Sequence, residues 1–278
     1  MIEFNKPTDG YTSFVQHMLL SQLGVNKGIN VFGQKGIDTV SKEMQQFHDR
    51  EVIIMKNPSQ LTKEERHCAL PYLMLLKEKF DTTIKGRGCA DGRLQRLFIS
   101  KDQTSSPKFS NKALFLTLTI DAKEGRDVAT CDIPGAFLQT DMNEGDDRVH
   151  IKLDGAMVEL LAKINPQVYQ KYIILSRKGK PVLYGETHKA IYGTLNASLL
   201  FYKKLVKSLQ GWGFEINTYE WCCANKIIDG KQCTIVWHVD NIKISHVDPN
   251  VVTTVISDIQ KEYDNTDTVK FNCGKVHN

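Results

Sequence analysis

The ten residues Trp237-His238-Val239-Asp240-Asn241-Ile242-Lys243-Ile244-Ser245-His246 decide how this chain is read. An apolar approach, an Asp-Asn pair and then an alternating apolar run describe two short strands joined by an Asx-rich turn. That reading places Asp240 at the tip of a β-hairpin. A carboxylate held there serves well as one half of a metal site if another strand brings a second acid to it. The stretch Ala129-Thr130-Cys131-Asp132-Ile133-Pro134-Gly135 offers one: an apolar strand delivers Asp132, and Pro134 ends the strand immediately after. Two acids brought together repel unless a cation lies between them. A pair of Mg²⁺ ions about 3.5–4 Å apart, bridged by such acids, catalyses phosphoryl and nucleotidyl transfer. Magnesium keeps several of its waters, so few protein carboxylates are needed. The plainer alternative is that an Asp at a strand end forms a turn or caps a helix.

Outward from the hairpin, the second half of the chain is regular. Strands are expected over 127–132, 148–153, 221–228 and 233–239, with a hairpin turn at Asp229-Gly230. Helical faces run through Met157, Val158, Leu160, Leu161 and Ile164, and through Leu199, Tyr202, Leu205, Val206 and Leu209; a final helix is expected over 249–263. The order β, β, α, α, β, β, β, α suggests one antiparallel sheet covered by helices on one face, an α+β arrangement. In the first half, Ile37, Val40, Met44 and Phe47 predict a helix over 35–48, and Glu51–Met55 is strand-like. Thr62 and Glu65 form a capping box for a helix at 62–69. Two strands are expected over 72–80 and 82–90. Ser110 caps a helix at 111–122 that is apolar enough to be largely buried. Residues 12–23 suit a short amphipathic helix, and the chain up to about residue 30 is the least constrained part.

Composition excludes several classes. With 41% hydrophobic and 24% charged residues over 278, the chain is an ordinary globular one, and its net charge of +4 permits nucleic-acid binding without requiring it. No apolar run reaches the ~18 residues that span a bilayer, and the polar start MIEFNKPTDGYTSF has no signal core. A cytosolic protein with reduced thiols is expected from the seven cysteines, none in a C-x-x-C pair. Neither Cys222-Cys223 nor the eight histidines show zinc-ligand spacing.

Four segments together carry a resemblance. Cys131-Asp132-Ile133-Pro134-Gly135-Ala136-Phe137-Leu138 is similar to the D-[VI]-x-x-A-F-L motif of copia-type long-terminal-repeat retrotransposon reverse transcriptases. Ala190-Ile191-Tyr192-Gly193-Thr194-Leu195-Asn196-Ala197, running on to Phe201-Tyr202, resembles that family's A-L-Y-G-L segment. His238-Val239-Asp240-Asn241 resembles its [YH]-V-D-D. Ile84-Lys85-Gly86-Arg87 followed by Ala90-Asp91-Gly92 is similar to a K-A-R-x-x-A-x-G segment of the fingers. The motifs occur in family order across roughly residues 30–278.

The resemblance implies a right-hand polymerase: an N-terminal extension over 1–30, then a reverse transcriptase domain over 31–278, with fingers mainly 50–125, palm mainly 126–278, and the thumb absent or truncated. It implies an RNA-directed DNA polymerase that works on an RNA or DNA template with a primer and on deoxynucleoside triphosphates. Two Mg²⁺ ions, or Mn²⁺, would be held by Asp132 and Asp240. A cytoplasmic setting within virus-like particles, with no membrane partner, goes with it. Phe137 would pack under the sugar of the incoming nucleotide, or is simply a core residue. Lys85 and Arg87 would reach the triphosphate, in a stretch from Lys77 to Arg96 with six basic and three acidic residues; the alternative is a solvated hairpin face. Tyr192 and Gly193 would line the nucleotide pocket, or merely form a helix-start turn. Lys203, Lys204 and Lys207 lie on an outer helix face, solvated or against template phosphates.

Two departures count against full activity. Asn241 stands where the family has its second Asp, contributing a carbonyl oxygen but no charge, and the chain stops at Asn278, short of a thumb. An impaired polymerase is expected, with a catalytically dead remnant that binds nucleic acid non-specifically as the second reading. A third is an unrelated α+β protein in which Asp132 and Asp240 never meet.

Overall fold

The computed structural model describes residues 22–97, 99, 104–142, 149–263 and 270–275. In chain order these form β1 (Leu23–Gly24), α1 (Val25–Asp49), β2 (Ile53–Lys56), α2 (Lys63–Cys68), β3 (Leu70–Glu78), β4 (Ile84–Ala90), α3 (Asn111–Glu124), β5 (Asp127–Asp132) and β6 (His150–Asp154). There follow α4 (Ala156–Ile164), α5 (Pro166–Tyr169), β7 (Ile174–Leu175), β8 (Pro181–Thr187), α6 (Ala197–Gly211), β9 (Glu215–Ile216), β10 (Cys223–Ile228), β11 (Lys231–His238), β12 (Asn241–His246), α7 (Pro249–Tyr263) and β13 (Lys270–Lys275). The class is α+β with two sheets. Most of the expected helix over 12–23 lies outside the described residues. No helix among the described residues is long and apolar enough to cross a membrane.

The chain divides into two units, Met1–Asp91 with Val149–Glu186, and Gly92–Arg148 with Thr187–Asn278. The first is built on a sheet of order β1-β3-β6-β8-β2, with β4 added on β3 and β7 on β8. Here the sequence reading needs two corrections. Residues 22–30 are not unconstrained, because β1 pairs with β3 and α1 begins at Val25, broken only at Gly33. Nor do the strand at 150–154 and the helix after it belong with the Asp240 hairpin. β6 pairs antiparallel with β8 and parallel with β3, a long-range pairing that no local pattern announces. Within this unit Val40, Met44 and Phe47 form the buried stripe of α1, as their spacing predicts, while Ile37 of the same expected face is exposed, and Phe47 meets Tyr72 edge-on at 5.0 Å. The capping box is present: Glu65 N–H donates to Thr62 Oγ1 and Thr62 N–H to Glu65 Oε2.

The second unit is a six-stranded antiparallel sheet of order β13-β5-β12-β11-β10-β9. Strand alternation assigns its faces. Ala129 and Cys131, Ile242 and Ile244, and Cys233, Ile235 and Trp237 point to one side, into a core shared with α6 and α7. On α6 the buried row is Ala197, Phe201, Leu205 and Leu209, one helical turn apart, so it is centred about one position from the expected face, with Tyr202 and Val206 at its flank. α7 contributes Val252, Val255, Ile256, Ile259 and Tyr263.

The opposite face carries α3, and here the expectation of a largely buried helix fails. Only Asp121 of α3 is buried, while Phe115 and Leu116 are 69% and 61% exposed. The apolar residues of α3 surround the helix instead of forming one stripe, so a single sheet face cannot cover them. The helix is pinned at its C-terminal end by an ion pair. Asp121 Oδ2 takes Lys243 Nζ from β12, and Arg126 Nη1 lies 4.0 Å from Asp121 Oδ1 while donating to Thr234 Oγ1 at 3.0 Å.

Candidate functional site

Pairing between β5 and β12 sets Asp132 directly opposite Asn241, and pairing between β11 and β12 sets Asn241 opposite His238. Directly opposed residues share a face, so Asp132, Asn241 and His238 form a row across three strands at one end of the sheet. The row lines a cavity of about 510 Å³ together with Phe109, Leu114 and Lys243. Asp240 stands at the hairpin tip as expected, but the two-residue turn is Val239-Asp240, one residue earlier than the Asp-Asn pair suggests, and Asn241 already belongs to β12. Ile133 N–H donates to the Asp240 carbonyl at 3.1 Å, which ties the end of β5 to the hairpin tip. Asn241 Nδ2 donates to Asp240 Oδ1 at 3.0 Å. Asp132 and Asp240 thus stand at the same end of neighbouring strands. Among the described residues, no group of three or more His, Cys, Asp or Glu side chains could hold a metal ion.

Val239 has φ 59. A two-residue hairpin turn favours glycine where φ is positive, and a β-branched residue there is strained. Strain of this kind, about 1–3 kcal/mol, persists where the surroundings over-determine it. Here Val239 packs against the core on one side, and the β11–β12 ladder closes on the other.

After Asp132 the chain leaves the sheet through Ile133-Pro134 and a 3₁₀ turn over Ala136–Gln139. The turn is held from both ends. Gln139 Nε2 donates to Pro134 O at 2.9 Å, and Lys204 Nζ donates to Gln139 O at 2.7 Å. Lys204 is therefore not an outer-face residue as expected; Lys203 and Lys207 are. Burial pushes the Lys204 amine below the ordinary lysine range, against the nearby Glu262 and Asp141 carboxylates. Beyond the turn, Met142 N–H donates to His188 O and Ala190 N–H to Thr140 O, stitching this loop to the segment that carries Tyr192. Asp141 pairs with Lys189; burial would raise its carboxyl, but the Lys189 hydrogen bond and charge outweigh it and hold the group below its ordinary value.

Phe137 is 9% exposed, with its ring 4.4 Å from Tyr192 and 6.3 Å from Phe201. The structure therefore joins Phe137 and Tyr192, with Phe137 seated in the core and the half-buried Tyr192 as the outer ring. Gly193 lies on the same loop with φ 90, and its carbonyl would be 2.1 Å from any Cβ built on Gly92. Leu195 N–H donates to Gln95 Oε1 at 3.0 Å, so the 3₁₀ turn over Gly92–Leu97 is fastened to the Tyr192 loop.

Lys85 and Arg87 lie in the first unit. They alternate with Gly86 and Gly88 along β4, which sorts the strand into a basic open side and a glycine side under α1. A Cβ at Gly86 would meet Glu43 Cγ at 2.7 Å, and one at Gly88 would fall 1.7 Å from the Tyr72 hydroxyl. Lys77 is paired directly opposite Lys85, adding a third cation to the open side.

Sequence reasoning missed the Asp121–Lys243–Arg126 cluster, the Lys204 clamp and the fastening by Gln95. A signal existed for the first: Asp121 closes an apolar helix and Lys243 interrupts an apolar strand, and each needs a partner if covered. Set against models of known protein families and against curated proteins, the sequence finds no match.

Proposed function

We propose that the chain is the fingers and palm part of a copia-type reverse transcriptase, a template-directed nucleotidyl transferase of much reduced activity. The observation that carries this reading is the placement of Asp132 and Asp240 at one end of adjacent antiparallel strands, whose backbones are joined by the hydrogen bond from Ile133 N–H to Asp240 O. The donor set fits Mg²⁺ or Mn²⁺, which take hard oxygen ligands and need only one or two protein carboxylates beside substrate phosphates. Asp132 and Asp240 would hold the ions, which when bound would activate a primer 3′-hydroxyl and stabilise the departing pyrophosphate. Tyr192 presents an aromatic surface to the nucleotide, over Phe137. On the first unit, Lys85 and Arg87, with Lys77, are exposed donors of the charge-assisted kind that phosphates accept. Sequence information would come from template pairing, the protein reading backbone and duplex shape.

Asn241 accounts for the reduced activity. It removes one formal charge, and its amide donates to the Asp240 oxygen that a metal ion needs. Loss of one well-placed electrostatic contact costs about 10²–10³ in rate. Asn241 also relieves the free protein of a like-charge pair, since an Asp there would face Asp132 at a Cα separation of about 4.5–5.5 Å. Asn241→Asp is therefore expected to lower thermal stability without metal, to gain a Mg²⁺-dependent rise in melting temperature, and to raise primer extension. Equal extension and no metal-dependent stabilisation in the variant would overturn the assignment. The same Asn241–Asp240 hydrogen bond favours a second reading, a remnant without catalysis that binds nucleic acid through its charge; steep salt dependence with no incorporation even by the Asp variant would select it.

A further inference from the structure

A second cavity, of about 450 Å³, opens on the same α3-bearing face of the sheet as the Asp132–Asn241–His238 row, and the two cavities share Phe109. Its size is that of sites for small organic ligands. One wall is the inner side of α3, including Thr117 and Ile120; the other is the polar sheet face, with Asn225, Gln232 and Thr234. These three side chains form a fixed network: Gln232 Nε2 donates to Asn225 Oδ1 at 2.9 Å and Thr234 Oγ1 at 3.0 Å, and Thr234 Oγ1 donates to Asn225 Oδ1 at 3.1 Å. Asp121, 2% exposed, also lines the cavity, and its Oδ1 accepts no hydrogen bond among the described residues. That atom has no accessible surface and faces Arg126 Nη1 at 4.0 Å; the acceptor open to the cavity is Gln232 Oε1, since Gln232 is exposed and its Nε2 is engaged by Asn225 and Thr234.

The rim is built as well. Tyr219 and Glu220 N–H both donate to Asn217 Oδ1, and Glu220 Oε2 accepts from the N–H and hydroxyl of Ser110, the N-cap of α3. This tied turn carries Tyr219, which is 98% exposed at the mouth. A large aromatic left in water beside an apolar-walled cavity is a surface on which a flat molecule stacks.

Charge narrows the ligand further. Among the lining residues Asp121 and Glu220 are balanced by Arg126 and Lys112, so neither a cation nor an anion gains from entering. We propose that this cavity binds an uncharged planar heterocycle with N–H donors on its edge, of the nucleoside class, independently of divalent metal and of the polymerase reading above.

The test is calorimetric titration of the full chain with adenosine, cytidine, guanosine and uridine in EDTA, repeated with adenosine 5′-triphosphate and with indole. Saturable binding of at least one nucleoside, at least tenfold tighter than the triphosphate and indole, is the expected result. Thr117→Phe, which fills the cavity, should abolish it, with folding checked by far-ultraviolet circular dichroism. Gln232→Ala, at an exposed strand position, should weaken it five- to tenfold and keeps the test valid if the Phe variant fails to fold. No saturable nucleoside binding, equal binding of indole, or unchanged affinity in both variants overturns the proposal. Triphosphate binding that needs Mg²⁺ and is lost in Asp132→Asn would belong to the other site and count against this one.

Discussion

Lys243→Met should be among the most damaging single changes in the second unit, although Lys243 touches neither Asp132 nor Asp240 in any assigned contact. The side chains of Asp121 and Lys243 are 1% and 10% exposed, so the variant leaves a carboxylate without its closest cation in a site that water does not reach. Breaking a buried pair by removing one partner costs about 3–5 kcal/mol. Arg126 remains 4.0 Å from Asp121, and a pair at that distance keeps up to about 4 kcal/mol of gross attraction at an effective dielectric of 20. Much of that attraction already exists in the wild type, so the net loss expected is about 2–4 kcal/mol. The double variant Asp121→Leu/Lys243→Met should recover most of this, because a hydrophobic pair of similar volume carries no desolvation penalty. Arg126 then still has Glu124 at 2.9 Å and Thr234 at 3.0 Å. Urea unfolding followed by tryptophan fluorescence is the assay, since the three tryptophans, Trp212, Trp221 and Trp237, all lie in this unit and report it alone. A Lys243→Met loss below about 0.5 kcal/mol, the usual range for surface substitutions, or a double variant no more stable than the single, would refute the argument that the pair pins α3.

Three further outcomes are expected. Gly88→Ala should destabilise the first unit by at least about 2 kcal/mol through overpacking against Tyr72, with Tyr72→Leu partly rescuing it; hydrogen exchange over residues 70–90 reads the effect. Burial raises the Glu43 carboxyl above its ordinary 4.5, outweighing the Gly88 N–H and the Lys85 charge. The folded state then holds its proton more tightly than the unfolded one, so stability falls as pH rises from about 4.5 through the raised value; Glu43→Gln should flatten that fall in melting temperature measured between pH 4.5 and 8. Burial pushes the Cys222 thiol up to about 12 and those of Cys223 and Cys233 to about 11. Peptide mapping after iodoacetamide treatment at pH 8 should therefore find the exposed Cys68 alkylated first and these three only on unfolding.

What could be read from the sequence was whatever a short window contains. Thr62 with Glu65, Ser110 at the start of α3, and the Asp229-Gly230 turn each carry their chemistry within four residues, and each stands where expected. β5 and α7 match their expected spans because Pro134 ends one and the Val252–Ile259 stripe defines the other. β8 was missed since Val182, Leu183, Tyr184 and Gly185 are buried in succession, which erases the alternation that announces a strand. The assignment of β6 to the wrong sheet has a related cause: a parallel pair such as Leu70 with Ile151 joins residues far apart in the chain. At the candidate site, the neighbourhood of Asp132 and the Asp240 hairpin was legible from strand ends and turn residues. The burial of Phe137 beneath Tyr192 was not, because an A-F-L run looks alike whether it meets a nucleotide or a core. The burial of Lys243 was equally hidden: alternation puts it on the polar face, and only the crossing of α3 turns that face inward.

β13 has a consequence that concerns the solution behaviour of the protein more than its chemistry. It pairs with β5 over six consecutive residues, from Lys270 opposite Asp132 to Lys275 opposite Asp127. Without it β5 would be the outermost strand, presenting a row of open N–H and C=O groups along Val128, Ala129 and Cys131. A flat apolar edge of that kind recruits other chains by strand addition. The last described strand thus covers the edge of β5 and carries the sheet's open edge itself. β5, the strand that carries Asp132, is thereby held from both sides, so the order of that carboxylate and the covering of this apolar edge depend on the same six pairings.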